Sequence, residues 1–119
     1  MQNISLDYGY ISNTIQIEDK AGVDNLENIL EVAGLDSVFV GPYDLSASIG
    51  RTGDLTHPEV QALIDQVRKK CLEVDKPVGI FEPDIEAARK RIEQGFSLIT
   101  ISTDISCIIR QTKTILQSI

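Results

Sequence analysis

Short apolar runs rich in β-branched residues recur along this chain, and each is followed by a stretch whose apolar positions fall every three or four residues. Residues 13–18 predict a first strand, with Gln16 and Glu18 on one face and Ile15 and Ile17 on the other. The apolar pair is expected to pack on helices and the polar pair to point inward. Residues 22–33 carry Val23, Leu26, Ile29, Leu30 and Ala33 at helical spacing, with Gly34 as the expected C-cap. Residues 36–41 read as a second strand of continuous apolar character, as in a parallel sheet covered by helices. Residues 42–54, rich in Gly and Ser, read as a long loop.

Thr56-His57-Pro58-Glu59 has the form of a capping box with proline in the first turn. Val60, Leu63, Ile64, Val67 and Leu72 then mark a long amphipathic helix. Residues 77–81 are a third strand. A helix starting at Pro83-Asp84 runs to about Gln94, ended by Gly95, and residues 97–102 are a fourth strand. Asp104 is expected to cap a last helix carrying Ile108, Ile109, Ile115 and Leu116. Residues 1–12 have no clear period and read as a lead-in to a domain over 13–119. Strand and helix alternating four times predict an α/β fold with parallel strands and right-handed crossovers. A complete (β/α)8 barrel needs ~250 residues, and the 119 present supply about half.

Composition excludes more than it identifies. With 42 % hydrophobic and 24 % charged residues, the chain is an ordinary globular one. A net charge of −7 argues against nucleic acid, which requires a basic face. No apolar run approaches the ~20 residues of a membrane span, and residues 1–7 lack the basic and apolar regions of a signal peptide, so the cytoplasm is the expected compartment. Cys71 and Cys107 stand far apart in helical segments without metal-ligand spacing, and are expected to be reduced core thiols.

The chemistry concentrates on two acids. Glu18 closes the first strand, and Asp44 lies just beyond the second, in Gly41-Pro42-Tyr43-Asp44-Leu45-Ser46. In a strand–helix–strand unit both strand ends open on one side of a parallel sheet. Two carboxylates meeting there make a hard oxygen site suited to Mg²⁺ or Mn²⁺. Each acid taken alone is more often a solvated loop residue or a helix cap than a metal ligand. His57, the chain's single histidine, sits at the mouth of a helix and reads as a cap or packing residue rather than a base. Without a placed histidine, Ser46 and Ser48 are not activated nucleophiles. Nothing around Lys20 suggests the dry pocket that a Schiff-base lysine needs.

Ile15-Gln16-Ile17-Glu18-Asp19-Lys20, Asn25-Leu26, Val38-Phe39-Val40-Gly41-Pro42-Tyr43-Asp44-Leu45-Ser46, His57-Pro58-Glu59-Val60 and Lys76-Pro77-Val78-Gly79-Ile80-Phe81 resemble, in order, the C-terminal half of the class II pyruvate aldolases of the HpcH/HpaI aldolase/citrate lyase family. The resemblance implies the C-terminal half of a TIM (β/α)8 barrel, with Glu18 and Asp44 as ligands of a divalent metal. It implies reversible cleavage of a 4-hydroxy-2-oxo acid to pyruvate and an aldehyde. It further makes Gln16 a neighbour of pyruvate, turns the N–H groups of Tyr43 and Asp44 toward the pyruvate carboxylate, and sets Phe81 where relatives hold an apolar residue facing the aldehyde. Many relatives have alanine in place of Tyr43 and glycine in place of Ser102.

The family's catalytic histidine–aspartate pair and its pyruvate-binding arginine come from the other half of the barrel, so no catalytic base is assigned here. Two expectations follow. A four-stranded half barrel exposes two strand edges and an inner face, which self-association or a complementary half-barrel chain would cover. The alternative to a lyase is a non-catalytic half-barrel module that binds metal or an oxo acid and assembles with a partner.

Overall fold

The computed structural model describes residues 12–119. The predicted lead-in, save for Ser12, lies outside them. Ten elements follow in order: β1 (Thr14–Ile17), α1 (Lys20–Asp24), α2 (Leu26–Leu30), β2 (Ser37–Val40), α3 (Pro42–Ser48), α4 (Pro58–Glu73), β3 (Val78–Glu82), α5 (Ile85–Glu93), β4 (Leu98–Ile101) and α6 (Asp104–Gln117). The strands form one parallel sheet in the order β1-β2-β3-β4. Each crossover steps one place in the same direction. A doubly wound sheet would reverse direction partway; this one advances as a barrel wall does.

Strand parity separates the two faces. Ile17, Val38, Val40, Val78 and Ile80 point one way and are buried, together with Val23 of α1, Leu26 of α2 and Val60, Ile64, Val67 and Cys71 of α4. The last four recur at intervals of four, three and four, one stripe of a helix laid across the sheet. Removing such a side chain, as in Ile64→Ala, costs about 2–5 kcal/mol. Register places Gln16 beside Phe39, Phe39 beside Gly79, and Phe81 beside Thr100 on the other face. Among the described residues no helix layer covers that face, and they form a slab of 56 × 49 × 22 Å. The expected half of a (β/α)8 barrel is therefore what the chain forms.

Several local expectations are corrected. The single helix over 22–33 is two short ones. Asp19 starts the first early, its Oδ1 accepting from the Gly22 N–H at 2.6 Å, and Asn25, at φ −99° and ψ 10°, leaves helical geometry and divides the segment. Gly34 does adopt a left-handed φ of +85°, but three residues beyond the C-cap Glu31. The segment 42–54 is not all loop: Pro42 at the first helical position, where its missing N–H is no loss, opens α3. His57 rather than Thr56 caps α4, and Thr103 rather than Asp104 caps α6 by accepting from the Ser106 N–H. Leu72 is largely exposed, its core position taken by Cys71. Cys107 is exposed and not a core thiol, because α6 buries none of its residues.

Candidate functional site

The site grows from the junction of β1 and β2. Gln16 is the third residue of β1, on the open face, and Glu18 follows the last. The Gln16 amide donates from Nε2 to Glu18 Oε2 at 3.1 Å, which leaves the second carboxylate oxygen for another partner. Across from them β2 ends at Val40, and the Gly41 N–H continues the ladder by donating to the Ile17 carbonyl at 3.0 Å. The chain then turns directly into α3. Gly41 allows that turn to lie against β1: a methyl group at position 41 would stand 2.5 Å from Gln16 Nε2 and 3.3 Å from Glu18 Cβ. Asp44 falls in the first turn of α3, where the N–H groups of Tyr43 and Asp44 have no partner within the helix.

Above this junction lies a cavity of about 300 Å³ lined by Gln16, Phe39, Gly41, Pro42, Tyr43, Asp44, Phe81 and Thr100. Four of the residues singled out in the sequence, Gln16, Tyr43, Asp44 and Phe81, thus share one wall. Glu18 is not in the lining and joins it through Gln16. The rings of Tyr43 and Phe81 meet with centroids 5.9 Å apart and planes tilted by 57°. Phe39 and Thr100 are additional lining residues. Both were findable by carrying the parity of Gln16 across the ladder, since Gln16 pairs with Phe39 and Phe81 with Thr100.

The groups set aside as nucleophile or base have structural duties. His57 Nδ1 accepts from the Glu59 N–H at 3.2 Å, which caps α4 and fixes that nitrogen as unprotonated. Its 3.8 Å approach to the Glu59 carboxylate would be an ion pair only on protonation, when the cap would be lost. Ser46 Oγ donates to the Tyr43 carbonyl and accepts from Gly53 N–H, while Ser48 Oγ donates to the Leu45 carbonyl and accepts from Lys20 N–H. Lys20 is exposed and paired with Asp24 at 2.6 Å, in no dry pocket.

A larger cavity, about 490 Å³, opens between α4 and α5, on the face opposite Phe81. It is lined by the buried Glu82 and by Arg91, whose guanidinium is already engaged by Glu82 Oε1 at 2.6 Å and by Gln61 and Gln94 at 3.0 Å. With its cation satisfied on every side, that network holds α5 to the sheet rather than a ligand. Among the described residues no group of three or more His, Cys, Asp or Glu side chains could hold a metal. Among them, too, no helix is long and apolar enough to cross a membrane.

Comparison with known proteins agrees with this geometry. The sequence profile of the HpcH/HpaI aldolase/citrate lyase family matches residues 6–110. The hydroxypyruvate/pyruvate aldolase of Chromohalobacter salexigens is 43 % identical over 94 residues, 79 % of this chain and 37 % of that protein. The 5-keto-4-deoxy-D-glucarate aldolase of Klebsiella pneumoniae is 41 % identical over 95 residues, 80 % of this chain and 37 % of that one. The crystal structure of an HpcH/HpaI aldolase/citrate lyase family protein from Burkholderia cenocepacia superposes with a TM-score of 0.88 at 41 % identity, over 91 % of this chain and 42 % of that one. The chain therefore spans about two fifths of the relatives it matches. Parallel strands, one-sided helices and the Gln16–Asp44 junction have one common explanation: the chain belongs to the HpcH/HpaI aldolase/citrate lyase family.

Proposed function

We propose that this chain is the metal-holding half of an aldolase-type lyase that cleaves 4-hydroxy-2-oxo acids to pyruvate and an aldehyde. Glu18 and Asp44 would hold Mg²⁺ or Mn²⁺; Gln16, Tyr43 and Asp44 would border pyruvate; and Phe81 would face the aldehyde. The observation that carries this reading is the cavity that gathers Gln16, Tyr43, Asp44 and Phe81 beside Glu18.

The donor set fits a hard divalent ion. Both candidate ligands are carboxylates, and a chelating oxo acid with water can complete a roughly octahedral shell. Lewis-acid stabilisation of the charge that develops on the 2-oxo oxygen is the chemistry such an ion supplies. The chain's own part is positioning. The Gln16 amide fixes the Glu18 carboxylate by a hydrogen bond, and the first-turn N–H groups of Tyr43 and Asp44 are donors suited to a carboxylate. The base and the arginine clamp of the family fall outside these residues, so the reaction needs the other half of a barrel, which a second copy of these residues would not supply. Among the described residues, the uncovered inner face and the edges of β1 and β4, which have no neighbouring strand, support a covering partner, a second copy or a complementary half barrel. We keep the cytoplasm as the compartment, in line with the free thiols of Cys71 and Cys107.

The uncovered inner face also favours a second reading, a module that binds metal or an oxo acid without turning it over. Electron paramagnetic resonance of Mn²⁺ with the full chain tests the site shared by both. Glu18→Gln and Asp44→Asn are each expected to weaken Mn²⁺ at least tenfold, and unchanged binding in both would remove the metal assignment. Metal-dependent exchange of the pyruvate methyl protons then separates the two, since only the lyase supports exchange.

A further inference from the structure

Three aromatic rings line the cavity, those of Phe39, Tyr43 and Phe81. Phe39 lies flat against the sheet, because the strand beside it offers no side chain: a methyl group at Gly79 would stand 2.7 Å from Phe39 Cδ2. Glycine and aromatic residue are register partners on β3 and β2, an arrangement in which the ring covers the backbone that glycine leaves bare. Phe81 follows two residues later on the same face, and Tyr43 closes over it from α3 at 5.9 Å. The other cavity-lining side chains that could recognise a polar substrate are Gln16, Asp44 and Thr100. Gln16 is already donating to Glu18, and Asp44 is assigned to the ion.

From this arrangement we propose that the Phe39–Phe81–Tyr43 wall selects an oxo acid whose tail beyond the reacting carbons is apolar or aromatic, and disfavours polyhydroxylated tails. The inference rests on the preceding reading for which end of the substrate meets the wall, but the wall itself does not depend on the metal. Hydroxyls laid against the faces of Phe39 and Phe81 would give up water with only the Thr100 and Tyr43 hydroxyls left to bond them. Methylenes would be covered, at about fourfold in affinity for each one buried. Tyr43 is 48 % exposed and stands at the rim, so it meets a tail first. Its loss would widen the cavity without touching the core.

Two titrations of the full chain, read through the ring resonances of Phe39, Tyr43 and Phe81, test this. In the presence of Mg²⁺, which leaves the ring resonances sharp, 2-oxo-4-phenylbutanoate is expected to bind at least tenfold more tightly than a 2-oxo acid of similar length carrying hydroxyls on every tail carbon. Tyr43→Ala and Phe81→Ala should each erase most of that preference. Without metal, 3-phenylpropanol should shift the three rings in a saturable way and glycerol should not. Saturable shifts with 3-phenylpropanol but no Mn²⁺ binding would overturn the metal reading and keep the wall. Mn²⁺ binding with equal response to both tails, or with no ring shifts at all, would overturn the wall and keep the metal.

Discussion

Gly41 and Gln16 are in contact that admits no further atom: a Cβ at position 41 would lie 2.5 Å from the Gln16 Nε2. The contact is steric and not conformational, since Gly41 has a φ of −97° that any residue can adopt. Gly41→Ala must therefore push the Gln16 amide away and break its 3.1 Å bond to Glu18. Because that amide is the end of a flexible, exposed side chain, the displacement costs little in stability. The expected result is a urea midpoint close to the parent's and a Mn²⁺ affinity reduced roughly tenfold. An alanine variant matching the parent in Mn²⁺ affinity would show that Gln16 does not position Glu18.

Ser102 holds a φ of +64°, in the left-handed region that suits glycine, and its buried Oγ has no hydrogen-bond partner. The conformation costs a non-glycine residue about 1–2 kcal/mol, and an unpaired buried hydroxyl about 1–3 kcal/mol. Against these stands the extra chain entropy of glycine, about 0.5–1 kcal/mol. Ser102→Gly is thus expected to raise stability by about 1 kcal/mol and the melting temperature by a few degrees. Ser102→Ala, which removes the hydroxyl but keeps the backbone conformation, should gain less. A melting temperature lowered by the glycine would mean that the hydroxyl is bonded in solution.

The strands were legible because a parallel sheet under helices writes itself as β-branched runs. All four were expected within a residue or two of where they lie, and the ladder then fixed which side chains share a face. The elements misjudged were those whose local signals compete. Residues 42–48 have the Gly, Pro and Ser content of a loop, yet Pro42 and the burial of Leu45 make a helix. Asn25 breaks a stripe whose apolar period runs straight through it. Within α6 the apolar positions promised a core that the described residues do not supply: Ile105, Ile108, Ile109, Ile115 and Leu116 are all exposed. Periodicity reports that a face is apolar, and it cannot report what covers it. At the site, the acids, Gln16, Tyr43 and Phe81 were visible as motif residues. Phe39 was hidden because an aromatic in a buried strand reads as core until its parity is compared with that of Gln16.

Glu82 and Arg91 form an ion pair whose side chains are 8 % and 12 % exposed, at 2.6 Å. Removing one partner from such a pair costs about 3–5 kcal/mol, because the other charge is left in a poor solvent. Arg91→Met is expected to destabilise by that amount and to loosen α5, where Gln61 and Gln94 also lose a donor. Glu82→Gln combined with Arg91→Met should recover part of the loss. Urea unfolding of the two single variants and the double variant reads the coupling, and strictly additive effects would show that the pair makes no net contribution.

Cys71 and Cys107 should be separable by chemistry. Cys107 is exposed on α6, whereas Cys71 is fully enclosed, and burial pushes its thiol up to about 11 from an ordinary 9.0, with Lys76 opposing the shift only in part. One thiol of the native chain is therefore expected to react rapidly with a disulfide reagent at pH 8, and both after denaturation. The raised value also sets a direction for stability. Between about 9 and 11 the folded state holds a proton that the unfolded state has released, so the contribution is complete below pH 9 and is lost as pH climbs toward 11. Two pH units correspond to at most roughly 2–3 kcal/mol. Cys71→Ala should flatten that alkaline decline relative to the parent, at some cost in packing, whereas Cys107→Ala should leave its slope intact. A decline of equal steepness in Cys71→Ala would assign it to another titrating group.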